Sequence, residues 1–143
     1  MRIRHFTMED YPRVRTLWQV CHLLLGEHDS REQIERKLER DPDLFLVAEE
    51  NQAILGVVMG TWDGRCGWVW SQAVDPVCRR TGIGRRLMDE LERRLREKGA
   101  LEIMLFVDRD SLEAQDFYEA SGFGFRRQSV VMAKSLVERT PES

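Results

Sequence analysis

The spacing of apolar residues changes repeatedly along this chain, and each change marks an element. Ile3 to Phe6 reads as a short strand, and Thr7 with Glu9 and Asp10 then supplies a cap with acidic residues in the first turn of a helix. Val14, Leu17, Trp18 and Cys21 recur at helical spacing, which predicts an amphipathic helix to about Leu24, followed by a loop over Gly26 to Asp29. Ser30 with Gln33 forms a capping box for a second helix that turns Ile34 and Leu38 inward and stops at Asp41, Pro42 and Asp43.

The period then shortens from helical to extended. Leu44 to Ala48 and Ile54 to Trp62 read as a hairpin turning at Asn51 and Gln52, and Gly67 to Val74 follows Asp63 and Gly64 as a third antiparallel strand. Ile83, Leu87, Leu91 and Leu95 form one stripe of a helix from Gly82 to Lys98, with arginine and glutamate opposite and Gly99 as its C-terminal cap. Glu90 with Arg94 and Glu92 with Arg96 stand at the favourable i,i+4 spacing, as on a solvated face. Leu101 to Val107 is apolar enough for a strand buried on both faces. Asp110 and Glu113 cap a short helix closed by Gly122, and Phe123 to Phe125 with Ser129 to Lys134 suggest a last hairpin-like pair before a loose tail from Glu138 to Ser143. The order predicts one α/β domain over residues 1–143, a mixed sheet with helices on both faces.

Composition narrows the class. A chain of 143 residues that is 42% hydrophobic and 33% charged fits a globular domain with a real core. Its apolar runs are too short to span a membrane and no leader-like run follows Met1, so the expectation is a cytoplasmic protein without membrane partners. Cys21, Cys66 and Cys78 form no C-x-x-C pair, which argues against a disulfide scaffold or a metal site and for small buried side chains. A net charge of -3 disfavours a general nucleic-acid binder, yet arginines gather between Arg79 and Arg96, which implies a local anionic ligand.

That ligand has an obvious landing place. Val74 ends a strand, Pro76 breaks it, and Gly82 and Gly84 open the long helix among Arg79, Arg80, Arg85 and Arg86. The first amides of a helix lack intrahelical acceptors and the macrodipole adds positive potential, so phosphate oxygens bind there on the main chain. Two glycines in a strand-to-helix turn can also be no more than a turn. Leu87 occupies the third-glycine position of a dinucleotide loop, and no Gly-Lys-Ser/Thr follows, so neither a Rossmann loop nor a P-loop fits.

At this point the chain resembles the GNAT N-acetyltransferase superfamily from about Ile3 to Leu136. Arg79-Arg80-Thr81-Gly82-Ile83-Gly84 matches the family's Q/R-x-x-G-x-G/A signature, and Phe117-Tyr118-Glu119-Ala120-Ser121-Gly122-Phe123 resembles its F/L-Y-x-x-x-G-F segment downstream. The resemblance implies a mostly antiparallel sheet with a splayed fourth and fifth strand pair, and acetyl-CoA lying in the opening. Ala73 and Val74 would bond the pantetheine arm, and Arg79, Arg80, Thr81, Gly82, Ile83, Gly84 and Arg85 would cradle the pyrophosphate. Ser111 stands where many members carry an asparagine against the cofactor arm, and its hydroxyl reaches less far.

The implied reaction is transfer of an acetyl group to a primary amine of a small molecule or peptide, which needs a neutral nucleophile, a held oxyanion and a proton for the thiolate. The resemblance assigns the general acid to Tyr118; the other reading of that residue is a half-buried tyrosine beside Phe117 and Phe123. The glutamates that some members use as base are replaced by Trp68 and Phe106, which leaves Glu49, Glu50, His28, Asp29 or a water, with Glu49 the choice for base. His28, Asp29 and Trp70 are the candidates for acceptor contact. Trp68 and Trp70 share one sheet face, where they read first as core and otherwise as an aromatic wall that, with Asp29 or Asp63, suits a cationic amine. Two alternatives stay open: a non-catalytic acyl-CoA sensor, and an acetyltransferase acting on aminoacyl-tRNA. The assembly is expected to be a monomer or a homodimer.

Overall fold

The computed structural model describes residues 1–137; the tail expected to be loose lies outside them. Contacts divide the chain, expected as one domain, into two compact units, Met1–Phe106 and a second that begins at Val107.

The first unit is a five-stranded sheet in the order β1-β2-β3-β4-β5, with β1 Arg2–His5, β2 Phe45–Glu50, β3 Ala53–Trp62, β4 Gly67–Val74 and β5 Ile103–Leu105. Neighbours pair antiparallel except β4 with β5, which run parallel. Asn51 and Gln52 take φ of 50° and 67°, the left-handed pair that closes a two-residue hairpin with the twist of its strands.

Three helices cover this sheet: α1 Tyr11–Val20, α2 Arg31–Arg40 and α3 Ile83–Lys98. The α1 helix ends at Val20 rather than near Leu24, because His22 turns left-handed at φ 62° and the amides of His22 and Leu23 fold back onto Gln19 and Trp18 carbonyls. Ser30 accepts from the Gln33 amide at 3.3 Å, so the predicted cap of α2 is formed.

The two sheet faces are built differently. On one, Leu87, Leu91 and Leu95 of α3 lie flat on glycine: a Cβ at Gly56 would stand 2.9 Å from Leu87 Cδ1, one at Gly67 2.6 Å from Leu95 Cδ1, and one at Gly60 would overlap Leu91 Cδ1. Missing side chains let the helix seat directly on the strands. On the other face, Val14, Leu17 and Trp18 of α1 and Ile34 of α2 pack with Phe6, Phe45, Val47, Val57 and Met59.

Polar anchors reinforce that second face. Asp10 is only 2% exposed and takes two bonds of 2.8 Å from Arg4 and one from Arg13. Burial alone would push its carboxyl up, but Arg4, the Thr7 amide and Arg13 outweigh it and hold it below the usual carboxylate range. Lys37 of α2 donates to Gly60 O at 2.6 Å and Thr61 Oγ1 at 2.8 Å, and burial draws its ammonium below the ordinary lysine value despite the attraction of Asp41.

Two charge expectations change. Arg94 pairs with Glu90 but also reaches Asp43 O at 2.9 Å and His5 Nε2 at 2.6 Å, so it ties α3 to β1 rather than only facing solvent. Glu92 and Arg96 form no ion pair among the described residues; Arg93 instead bridges Glu90 and Glu97. The three cysteines are free and half-buried.

The strand expected over Leu101 to Val107 is shorter and less buried. Its ladder covers only Ile103–Leu105, Leu101 is 97% exposed, and Phe106 is 55% exposed. In the second unit α4, Leu112–Ala120, starts from Ser111 without a side-chain cap bond, so the expected Asp110 and Glu113 box is absent. No strand forms over Phe123 to Phe125 or Ser129 to Lys134 among the described residues.

Candidate active site

The turn between β4 and α3 brings helix amides that lack intrahelical acceptors to its end. Asp75 Oδ1 accepts the Val77 amide at 3.0 Å, Pro76–Cys78 makes one 3-10 turn, and the Thr81 hydroxyl donates to Cys78 O. Arg80 at φ 66° and Gly82 at φ 87° then swing the chain into the helix. A Cβ at Gly82 would meet no atom within 4 Å, so it is the left-handed backbone, not crowding, that asks for glycine. The first α3 bond runs from Arg86 N–H to Gly82 C=O, so the amides of Ile83, Gly84 and Arg85 precede it and have no intrahelical acceptor. Arg79, Arg80 and Arg86 are exposed and form no ion pair among the described residues, whereas Arg85 pairs with Asp89 at 3.2 Å. Amides without intrahelical acceptors, the helix dipole and three guanidinium groups without ion pairs give this turn the chemistry that suits an anion.

Beside it the sheet comes apart. Pairing of β4 with β5 ends at Val69 and Leu105, while β4 continues to Val74 against β3. From Trp70 to Val74 the β5-side edge of β4 therefore carries no ladder.

A bulge shapes that stretch. Met59 faces Trp70 and Val57 faces Ala73, so Ser71 and Gln72 together stand opposite Val58. Ser71 is left-handed at φ 52°, and its carbonyl accepts Trp18 Nε1–H at 2.8 Å. Gln72 Nε2 donates to Gly84 O at 3.1 Å, which fastens the open edge to the first turn of α3. Neither residue was singled out from sequence. The signal available was the polar pair Ser71 and Gln72 interrupting an alternating strand.

The bulge also decides where the tryptophans point. Gly67 faces α3, so Trp68 lies on the opposite face; Trp70 shares that face with Met59. They are not core: Trp68 is half-buried and Trp70 is 39% exposed.

The remaining candidates are spread more widely. Glu49 sits on β2, with β3 between it and β4. Arg4 holds its carboxylate with bonds of 2.7 and 3.0 Å, Arg2 adds one of 3.3 Å, and the Arg4 bonds foremost keep its pKa below the usual value. A carboxylate so paired is a poor proton acceptor at neutral pH, so the base role expected of Glu49 does not suit its surroundings. His28 is exposed on the 3-10 turn Glu27–Asp29. Asp29 accepts the Gly26 amide at 2.9 Å, and its own carbonyl accepts from the Tyr11 hydroxyl at 2.6 Å.

In the second unit, Tyr118 packs edge-on against Phe117 and Phe123 at centroid distances of 5.1 and 5.5 Å. Burial pushes its hydroxyl up to about 12. Ser111 is half-buried at the N-terminal end of α4.

The structure thus brings Ala73, Val74 and residues 79–85 together around one turn and one open strand edge, and keeps Glu49 away on the far side of β3. Among the described residues no His, Cys, Asp and Glu side chains cluster as a metal site, and no helix is long and apolar enough to cross a membrane.

Known proteins share both sequence and architecture. The chain is 44% identical over 138 residues to an acetyltransferase of Pectobacterium atrosepticum, covering 96% of this chain and 97% of that one. It is 38% identical over 138 residues to an acetyltransferase of Sodalis glossinidius, with coverage of 96% and 97%. The crystal structure of Ard1 from Thermoplasma volcanium superposes with a TM-score of 0.73 at 27% identity, covering 86% of this chain and 82% of that one. Residues 6–125 match the model of the acetyltransferase (GNAT) family. With the amide-lined turn at the head of α3 and the parting of β4 from β5, these matches establish that the chain belongs to the GNAT acetyltransferase family.

Proposed function

We propose that the protein transfers an acetyl group from acetyl-CoA to a primary amine of a small molecule or peptide. The observation that carries this reading is the conjunction of α3 amides that precede the first helical bond with the stretch of β4 beyond Val69 that β5 does not accompany, joined by the Gln72 to Gly84 bond. A diphosphate fits the amides of Ile83, Gly84 and Arg85 with Arg79, Arg80 and Arg86 around it, and Gly82 leaves room for close approach. An extended arm carrying amide groups fits the free edge near Ala73 and Val74, where it would add to the sheet as a strand does.

Acetyl-CoA supplies the activated thioester. The neutral amine nitrogen bonds to the carbonyl carbon, the carbon–sulfur bond breaks, and one amine proton ends on sulfur. Tyr118 is the proposed proton donor to sulfur, because a hydroxyl held at about 12 keeps its proton throughout the neutral range. An ordinary thiol titrates at ~8.5, so the phenol completes this step only as the amine's proton is returned to it. With Glu49 paired to arginine, the amine is best served by a water or by His28, which carries no ion pair among the described residues.

Titration calorimetry with coenzyme A tests the reading, followed by a screen of amines with acetyl-CoA. Binding that is lost in Gly82→Asp supports it, since an aspartate there keeps the turn tolerable but meets the phosphates with like charge. No binding by the wild-type chain would overturn it. Tyr118→Phe is expected to lower kcat by about 10²–10³-fold with little change in KM for acetyl-CoA; equal turnover would remove Tyr118 from the mechanism.

A further inference from the structure

Trp68, Trp70 and Phe106 form a continuous aromatic cluster on the first unit. Ring centroids lie 6.3 Å apart for the two tryptophans, 5.6 Å for Trp68 with Phe106 and 5.5 Å for Trp70 with Phe106. The cluster stands where the strands part: Trp70 and Phe106 are the residues just beyond the last β4 and β5 pair, Val69 with Leu105. Trp70 is 39% and Phe106 55% exposed, so two of the three rings present area to solvent.

One carboxylate is built into this wall. Asp63 Oδ2 accepts the Trp68 indole N–H at 3.3 Å, while Oδ1 accepts the amides of Cys66 at 2.7 Å and Arg65 at 2.8 Å. Those two amides foremost, then the indole, keep the Asp63 carboxyl below the usual range, so it is ionised at neutral pH. Indole donating to an anion gains electron density on its ring, and tryptophan faces already attract cations more strongly than other aromatics. The charge complement of an aromatic wall backed by a carboxylate is an ammonium group.

We propose that this wall holds a second, protonated nitrogen of the acceptor, which makes the substrate class a diamine or longer polyamine rather than a monoamine. The inference rests on the acetyl-transfer reading above. The nitrogen that attacks the thioester must be uncharged to have a lone pair, so the cation on the wall cannot be the reacting one. Thr61, the cross-strand neighbour of Trp68, accepts the Lys37 ammonium at 2.8 Å, and that charge is already matched by its ion pair with Asp41. Arg65 is the one cation of the adjoining turn, and an acceptor ammonium has to share Asp63 with it.

The test compares 1,4-diaminobutane with 4-amino-1-butanol, which matches it in length but carries a neutral end, and with butylamine. The expected result is a kcat/KM for the diamine about tenfold or more above the aminoalcohol, a gain in the range of a desolvated cation–π contact. That ratio should fall toward one in Trp70→Leu and Asp63→Asn, and recover in Trp70→Phe, with circular dichroism confirming the fold. Equal rates for the three acceptors, or a Trp70→Leu loss that is the same for all three, would overturn the proposal. Intrinsic tryptophan fluorescence separates its failure from that of the acetyl-transfer reading. A saturable change with 1,4-diaminobutane and none with the aminoalcohol upholds the cation site even if no amine is acetylated, and no change with either removes it.

Discussion

The two faces of the sheet solve the same packing problem with different chemistry. Under α3 the seat over Gly56, Gly60 and Gly67 is apolar and close, leucine onto glycine, with no titratable group among those contacts. Under α1 and α2 an apolar cluster is supplemented by Asp10 with Arg4 and Arg13, by Lys37, and by the Trp18 indole bonded to Ser71 O. The first face gives a rigid mount for the turn that precedes α3. The second leaves the outer strands free to carry Trp68, Trp70 and Phe106 in contact with water.

The largest effect should come from the leucine face. Leu91 is fully buried, so Leu91→Ala is expected to cost about 2–5 kcal/mol in urea unfolding. The loss should be independent of pH, since no titratable partner is removed. Next is Gly60→Ala, where the added methyl collides with Leu91 Cδ1 and the helix must shift; a loss of about 1–3 kcal/mol follows. A neutral result would mean that α3 is not seated on glycine as described.

The polar face should answer to acid. Because the Asp10 carboxyl is held below its usual range, its contribution is fully present above the unfolded value of ~3.9 and disappears as pH falls through the lower folded value. Asp10→Asn should therefore lower stability at pH 7 and flatten the decline between about pH 5 and pH 2. An unchanged acid limb would show that Asp10 and Arg4 do not stabilise the fold. The smallest effect is expected at the aromatic wall: Trp70→Leu should change stability by less than about 1 kcal/mol, because the side chain is partly exposed. A loss as large as that of Leu91→Ala would instead make Trp70 a core residue.

The same contrast explains what could be read from the chain. The α3 stripe Ile83, Leu87, Leu91 and Leu95 is buried as its period predicts, because local spacing alone decides which side of a helix is apolar. The hairpin at Asn51 and the amide-rich turn at Gly82 were legible for the same reason: their residue types answer to local backbone geometry. The orientation of the tryptophans was not, since it depends on a bulge set by pairing with β3. The ion pairs of Glu49 were not legible either, because its arginine partners are 45 and 47 residues away in the chain. The apolar run at Val130 to Met132 has strand-like composition, but no strand forms there among the described residues, and Val130 and Met132 are 80% and 90% exposed. A strand exists only where another edge offers it hydrogen bonds.

The extra residue in β4 works as a phase shifter. Upstream of it, even-numbered side chains point away from α3; downstream, Gln72 points toward the helix and Ala73 away. Deleting Ser71 alone would leave Gln72 by itself opposite Val58, still directed at α3, and would remove the carbonyl that accepts the Trp18 indole. One peptide unit thereby gives the strand an outward carbonyl that pins α1, between the aromatic rings on one side and the side chain that braces the turn opening α3 on the other.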